Sequence, residues 1–135
     1  MPAKDRYHDA VKRALIKDGW TVDDEQITLT FGARYLWIDL KASKVGADTS
    51  IFIKVKALDS VLSPVEAWAN AIGKYFLYRL ALKEAEIDVP LYLAVSRAAY
   101  QGFLSELMGQ SAIQEGHILL VVFDPEREEI IRWIL

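Results

Sequence analysis

The chain has 135 residues, with 16 Lys and Arg against 19 Asp and Glu, so its formal net charge is −3. Hydrophobic residues make up 53% of the sequence, which excludes a disordered or fibrous protein and predicts a single domain over residues 1–135. The absence of cysteine excludes disulfide scaffolds, thiolate zinc sites and cysteine nucleophiles, and the net acidity argues against an obligate polyanion-binding protein. We expect no signal peptide and no membrane span, and therefore a cytoplasmic location.

The amino-terminal half predicts one helix followed by four strands. Apolar residues recur at three- and four-residue spacing from Lys4 to Asp18, and Gly19 stands where a helix would end. Runs rich in β-branched and aromatic residues then predict strands, with breaks at residues 23–25, 32–33 and 43–49. The predicted strands are Trp20–Val22, Gln26–Phe31, Leu36–Ala42 and Ser50–Ala57.

The carboxy-terminal half predicts two helices and three strands. Ser63, Pro64 and Glu66 combine an N-cap, a first-turn proline and a capping-box acid, so a long helix is expected from there to Ala85. The further predicted elements are a strand at Leu91–Val95, a helix at Arg97–Met108, a turn region at Gly109–Gly116, and strands at Ile118–Phe123 and Ile130–Ile134. The fold class is therefore α/β of the α+β type, with a central mixed β-sheet flanked by helices.

Charged residues of two successive strands are predicted to share one face of the sheet. Side chains alternate between the two faces of a strand. Asp39 is therefore on the face opposite to Ile38 and Leu40, and Lys54 and Lys56 are on the face opposite to Ile53 and Val55. If the two strands pair with their polar faces aligned, Asp39 meets both lysines. Such a face is either an ordinary solvated strand surface or the start of a functional site.

Several segments together resemble the XisH family, the fdxN-element excision controlling factors of cyanobacteria. The resemblance is collinear over essentially the whole chain, and its amino-terminal block is the longest part. The matching segments are Met1–Asp5, Tyr7–Lys12, Ala14–Thr21, Ala71–Tyr75 with Tyr78 and Arg79, Leu91–Val95, and Phe123–Pro125 with Trp133 and Ile134.

That family is similar to the PD-(D/E)XK, or restriction-endonuclease-like, nucleases. The similarity implies a sheet on which an Asp of one strand and the Glu of a Glu-x-Lys motif on the next strand bind Mg²⁺. Two carboxylates supply the hard oxygen ligands that Mg²⁺ prefers, and the metal activates water for attack on phosphorus. The lysine of the motif positions that water and stabilises charge on the phosphate.

The sequence departs from this pattern at its acidic ligand. Asp39 and Lys56 match the Asp and the Lys of the motif, but Lys54 stands in the place of the Glu, and Lys74 stands where the family usually has Gln. At an effective dielectric near 20, two unit charges ~4 Å apart interact by about 4 kcal/mol, and a divalent ion doubles the effect. Lys54 is therefore expected to repel Mg²⁺ and to pair with Asp39.

Two interpretations of this departure stay open. In the first, the nuclease centre is degenerate and the fold serves as a binding module, with a basic strip that contacts phosphate oxygens. In the second, Glu66 or Asp48 replaces the missing carboxylate and completes a metal site with Asp39. The candidate nucleic-acid-binding residues are Lys41, Lys54, Lys56 and Lys74.

The sequence thus predicts an XisH-like accessory factor that controls excision of a DNA element, with a vestigial nuclease site at Asp39, Lys54 and Lys56. His8, in the family's amino-terminal block, is a further candidate because the first helix of related nucleases often reaches the active site. The alternatives are an active Mg²⁺-dependent endonuclease and a protein-interaction module. The expected partners are DNA, an XisI-type protein by family resemblance, and a second copy of the chain, with no cofactor unless the nuclease is active.

Overall fold

The computed structural model describes residues 4–46, 48–59 and 61–135 of the chain. Met1–Ala3, which open the amino-terminal block of the resemblance, lie outside the described residues, as do Ala47 and Ser60. The helices are α1 His8–Lys17, α2 Pro64–Glu84, α3 Arg97–Gln101 and α4 Leu107–Glu115, with a 3₁₀ turn at Phe103–Ser105 between the last two. The strands are β1 Trp20–Phe31, β2 Arg34–Lys44, β3 Thr49–Val55, β4 Leu91–Ser96, β5 Leu119–Asp124 and β6 Glu129–Ile134.

The six strands form one mixed sheet in the order β1-β2-β3-β4-β5-β6. The pairs β1–β2, β2–β3 and β5–β6 are antiparallel, whereas β3–β4 and β4–β5 are parallel. Parallel neighbours need a crossover connection, and the segments that contain α2 and α3–α4 provide the two crossovers. The predicted mixed sheet with flanking helices is confirmed.

Helices cover both faces of the sheet. Along β4 the side chains of Tyr92 and Ala94 belong to one buried cluster, and those of Leu91, Leu93 and Val95 belong to the other. The first cluster includes Val11 and Leu15 of α1, and the second includes the inner side of α2. Because successive strand residues point to opposite faces, α1 and α2 lie on opposite sides of the sheet. The inner side of α2 contributes Trp68, Ala71, Tyr75, Tyr78, Ala81 and Leu82.

The predicted start of α2 is confirmed in atomic detail. The Ser63 hydroxyl accepts a hydrogen bond from the backbone N–H of Glu66 at 3.3 Å, and Pro64 is the first helical residue. A proline costs nothing there because its missing N–H would have no partner inside the helix. The helix ends at Glu84, close to the predicted Ala85.

The predicted break at residues 23–25 is wrong, because β1 continues through it. Glu25 pairs with Leu40 of β2, and the register shifts by one residue between Val22 and Asp24. A β-bulge of this kind absorbs one extra residue without ending the strand. The acidic residues that predicted a loop are instead side chains of a continuous strand.

The predicted helix at Arg97–Met108 begins at the correct residue but is interrupted, and the predicted turn at Gly109–Gly116 is wrong. The chain breaks into α3, a 3₁₀ turn and α4, and α4 runs through most of the predicted turn. A Cβ atom on Gly109 would lie 2.6 Å from the Cα of Leu104. Gly109 is therefore a helical residue that allows the backbone of α4 to approach the 3₁₀ turn closely, and not a turn residue.

Candidate functional site

Asp39 lies where β2 separates from β3. The two strands pair from Lys44 and Thr49 at the hairpin end to Leu40 and Ile53. Beyond Leu40, the described β2 residues pair with β1 only. A gap between two diverging strands leaves backbone groups without ladder partners, so a side chain at that point has room to supply one.

The Asp39 carboxylate fills this gap. Its Oδ2 atom accepts a hydrogen bond from the backbone N–H of Val55 at 2.6 Å and lies 3.5 Å from the Nζ atom of Lys54. Asp39 as a residue is only 7% exposed. A buried carboxylate requires hydrogen bonds and a counter-charge, and Asp39 has both within its own sheet. The predicted contact between Asp39 and Lys54 is confirmed.

Lys54 is held from two sides. Its ammonium group pairs with Asp39 and also lies 5.0 Å from the centre of the Tyr78 ring on α2. A cation over an aromatic face is attracted by the ring's electron density. The side chain is 18% exposed, so Lys54 is a half-buried residue tied between the sheet and α2.

The other predicted basic residues lie in three different settings. Lys56 follows β3 and is half-buried, and its backbone N–H donates to the Ala94 carbonyl at 3.2 Å. Within the described chain Lys56 makes no ion pair, so its predicted contact with Asp39 is absent. Lys41 pairs with Phe52 across the strands, with its Nζ atom 5.9 Å from that ring. Lys74 is exposed on α2.

His8 belongs to a separate cluster. Its Nε2 atom lies 2.9 Å from Oε1 of Glu25, and the Lys12 ammonium donates to the second oxygen of the same carboxylate at 2.7 Å. These hydrogen bonds, from Lys12 first and then from His8, hold the pKa of Glu25 below its ordinary value. His8 is 1% exposed, and its Nδ1 atom has no hydrogen-bond partner. The imidazole contacts Glu25 and not the Asp39 carboxylate.

One group of three metal-ligating side chains (His, Asp or Glu) in residues 4–46, 48–59 and 61–135 has its ligand atoms close enough together to share a metal ion. The group consists of His8, Asp9 and Glu25. The chemistry of the group does not favour a cation. The Lys12 ammonium group already forms an ion pair with the Glu25 carboxylate, and the Lys4 ammonium group lies 3.5 Å from the Asp9 carboxylate. A ligating histidine also needs a partner on its second nitrogen, which Nδ1 lacks.

The residues around Asp39 do not fit Mg²⁺ either. Asp39 is a single carboxylate that already bonds Val55 and Lys54. Asp48 is in the β2–β3 turn beside the Lys44–Thr49 pair, five strand residues from Asp39, a separation of roughly 16 Å at ~3.3 Å per residue. Glu66 is an exposed residue of the first turn of α2. Among the residues that the structure describes, Asp39 belongs to no close group of three metal-ligating side chains, so the ligand set that Mg²⁺ requires is not assembled around it.

A polar network that the sequence patterns did not predict lies at the carboxyl ends of the three parallel strands. The Tyr7 hydroxyl donates to Oδ2 of Asp59 at 2.9 Å, and the Ser96 hydroxyl donates to the other oxygen of Asp59. Burial and Asp59 raise the pKa of Tyr7. Beside them Arg97 donates to Asp124 at 2.9 Å. The signal that could have found this network is that each apolar parallel strand leads into polar residues at the same edge.

The Asp124 carboxylate orders the turn that follows β5. Its Oδ1 atom accepts hydrogen bonds from the backbone N–H groups of Glu126 and Arg127, at 2.9 and 3.2 Å. These bonds, with the charge of Arg97, keep the pKa of Asp124 below its ordinary value. The network lines a cavity of about 400 Å³. Arg97 pairs with Asp124, and the Tyr7 and Ser96 hydroxyl groups bond Asp59, so these groups cross-link α1, β4, β5 and the loop after β3 at this edge.

Comparison with known proteins agrees with the resemblance seen in the sequence. A family model described as "XisH protein" matches residues 1–131. The chain belongs to the XisH family. The comparison of this XisH-family chain with curated proteins finds no match.

Two crystal structures share the whole fold with this XisH-family protein. A fdxN element excision controlling factor protein from Anabaena variabilis has 33% sequence identity and a TM-score of 0.89, over 98% of this chain and 100% of that one. An XisH family protein from Nostoc punctiforme PCC 73102 has 30% identity and a TM-score of 0.88, over 97% and 100% of the two chains. No helix in the described part of the chain is long and apolar enough to cross a membrane.

Proposed function

We propose that this protein is an accessory factor that controls excision of a DNA element, built on a nuclease-like fold whose metal site is degenerate. Membership of the XisH family and the similarity to an excision controlling factor support the general role. The observation that carries the degenerate site is the Lys54 ammonium 3.5 Å from Asp39. A metal bound at Asp39 would have to displace this ammonium group.

The electrostatics of this pair oppose a metal. Val55 already donates to the one carboxylate oxygen that also faces Lys54. A divalent ion ~4 Å from an ammonium group is repelled by about 8 kcal/mol at an effective dielectric of 20. Lys54 can neutralise Asp39 and hold β2 to β3 at this point, but one paired carboxylate does not supply the ligand set that would hold a water-activating Mg²⁺.

Titration of Mg²⁺ and Mn²⁺ against the purified protein, followed by thermal unfolding and cleavage of supercoiled DNA, tests the degenerate site. We expect neither a metal-dependent rise in the unfolding temperature nor cutting by the natural sequence. Lys54→Glu places a second carboxylate beside Asp39, so metal should stabilise that variant by mass action. Lys83→Glu makes the same charge change at an exposed residue near the end of α2, away from the β2–β3 pair, and should show no such gain.

Metal-dependent cleavage by the natural sequence that Asp39→Ala abolishes would overturn the degenerate site and establish the endonuclease. Failure of Lys54→Glu to gain metal binding, with a normal far-ultraviolet circular dichroism spectrum, would also contradict the proposal. In that case Lys54 is not what prevents metal binding at this position.

Contact with DNA is a second part of the proposal, and it rests on charge. Because Asp39 neutralises Lys54, the lysines left to meet phosphates near this face are Lys41 and Lys56. We expect weak binding of duplex DNA that falls as the salt concentration rises. The slope of the logarithm of the binding constant against the logarithm of the salt concentration should be about −0.9 for each phosphate contact. Lys41→Ala and Lys56→Ala should each reduce that slope. Absence of binding at low salt would leave a protein-interaction module, whose XisI-type partner is so far a prediction from the resemblance.

A further inference from the structure

The outer side of α2 carries a strip of large hydrophobic residues among its polar ones. Large hydrophobic residues on it are about half exposed: Val65 48%, Phe76 50% and Leu77 49%. Leu62, just before the helix, is fully exposed, and Leu80 continues the same side one turn after Phe76. A helix that lies on the surface of a monomer normally shows a polar outer side. An exposed apolar strip about four turns long favours a second surface that covers it.

Two small residues occupy the middle of this outer side. Ala69 and Gly73 are both exposed, and a Cβ atom built on Gly73 would meet nothing within 4 Å. Small residues one turn apart allow a second helix backbone to approach closely, and large residues at both ends of the strip would then pack around that contact. The strip has its small residues at the centre and its large ones at the ends.

The strip is complementary to itself in the antiparallel direction. Counted along the helix sequence, Val65 and Phe76 lie nearly the same number of residues before and after a midpoint at residues 70 and 71. Ala69 and Gly73 share this midpoint. Leu62 and Leu80 are related by the same midpoint. An isologous two-fold contact requires that each residue and its partner be related by one shared centre. Large residues of one copy would therefore face large residues of the other, and small would face small.

The charges beside the strip obey the same symmetry. Glu66 and Lys74 are exposed residues of α2, and their midpoint is Asn70. In an antiparallel pair of helices centred at Asn70, Glu66 of each copy meets Lys74 of the other copy. This gives two equivalent ion pairs, each between a negative and a positive side chain. A parallel arrangement in register would instead place like charges together, so the charges select the antiparallel one.

We propose that the outer side of α2 is a homodimer interface, in which α2 packs antiparallel against α2 of a second copy about a two-fold axis near Asn70. The occupant is a second copy because both the apolar residues and the charges complement themselves about one midpoint. The surface is distinct from Asp39 and Lys54, which face the inner side of α2 through Tyr78.

Sedimentation equilibrium of four proteins tests this interface: the natural sequence, Glu66→Lys, Lys74→Glu and the double reversal. We expect a dimer for the natural sequence and an increase of about tenfold in its dissociation constant for each single reversal, since both ion pairs become like-charge contacts. The double reversal should restore the dimer. Glu84→Lys, the same charge change farther along the exposed side of α2, is the matched control and should leave association unchanged.

Thiol cross-linking gives a second readout that does not depend on charge. The chain has no cysteine, so Asn70→Cys creates a single thiol, placed near the axis and close to its symmetry mate. A short bifunctional maleimide should link two copies of Asn70→Cys and not of Glu84→Cys. A monomer at every concentration, or a dimer that the single charge reversals and Phe76→Asp leave unchanged, would overturn the proposal. Association only after an unrelated protein is added would assign the surface to a different partner and would overturn it as well.

Discussion

Asp39 and Glu25 are both acidic residues of the β1–β2 hairpin, and each contacts a lysine, yet their surroundings differ. Asp39 is paired with Lys54 of the next strand and bonds the sheet backbone through Val55. Glu25 pairs across the layers, with His8 and Lys12 of α1, and is 31% exposed. The first carboxylate holds two strands together, whereas the second fastens a helix to the sheet. The cost of losing each should follow its burial.

The largest effect is expected for Asp39→Ala. Removal of the carboxylate leaves the buried Val55 N–H without its acceptor and Lys54 without its counter-charge, so the free energy of unfolding should fall by about 3 kcal/mol. Urea unfolding with a linear extrapolation measures the change. Asp39→Asn is the control that keeps an acceptor and should cost less. A loss as small as that of an exposed ion pair would show that Asp39 is not a structural link.

Glu25→Gln should have a smaller effect, about 1 kcal/mol at neutral pH, because solvent screens a carboxylate that is one third exposed. Its pH dependence distinguishes it. The pKa of Glu25 is lower in the folded state than its ordinary value of 4.5, so its stabilising contribution is complete above that value and is lost as the pH falls through the lowered pKa. The free energy of unfolding, measured at a series of acidic pH values, should therefore fall less steeply with decreasing pH for Glu25→Gln than for the natural sequence.

The smallest effect is the pairwise coupling between Lys12 and Glu25. A double-mutant cycle with Lys12→Met and Glu25→Gln should give about 0.5 kcal/mol, as expected for partly exposed ion pairs. The matched cycle with Lys54→Met and Asp39→Asn should give a clearly larger coupling energy, because both side chains of that pair are less exposed than those of Lys12 and Glu25. Equal couplings in the two cycles would remove the distinction between the two carboxylates.

Local patterns predicted one of these two carboxylates and not the other. Alternation along two adjacent strands was enough to bring Asp39 to Lys54, because both predicted strands and their pairing are encoded within residues 36–57. Glu25 was assigned to a loop, and its partners His8 and Lys12 come from a helix on the other side of a turn. Nothing in a local pattern states which side chain of a helix reaches which strand residue.

The elements themselves show the same limit. The cap at Ser63 is a local feature, and it located the start of α2 correctly. Gly109 was interpreted as a turn residue, although its true constraint is the backbone of Leu104, at 2.6 Å from where a Cβ would stand. Glycine has two uses, turning and close packing, and only the three-dimensional neighbours distinguish them.

The order of the strands has a consequence for how the protein assembles. Each strand of the sheet pairs with the strands that precede and follow it in the sequence, so the sheet can grow in the order of synthesis. The first helix is the exception. Arg13 and Lys17 of α1 bond Glu128 and the Arg127 carbonyl, in the turn before the last strand. The first helix to leave the ribosome therefore makes its final contacts only after nearly the whole chain has been translated.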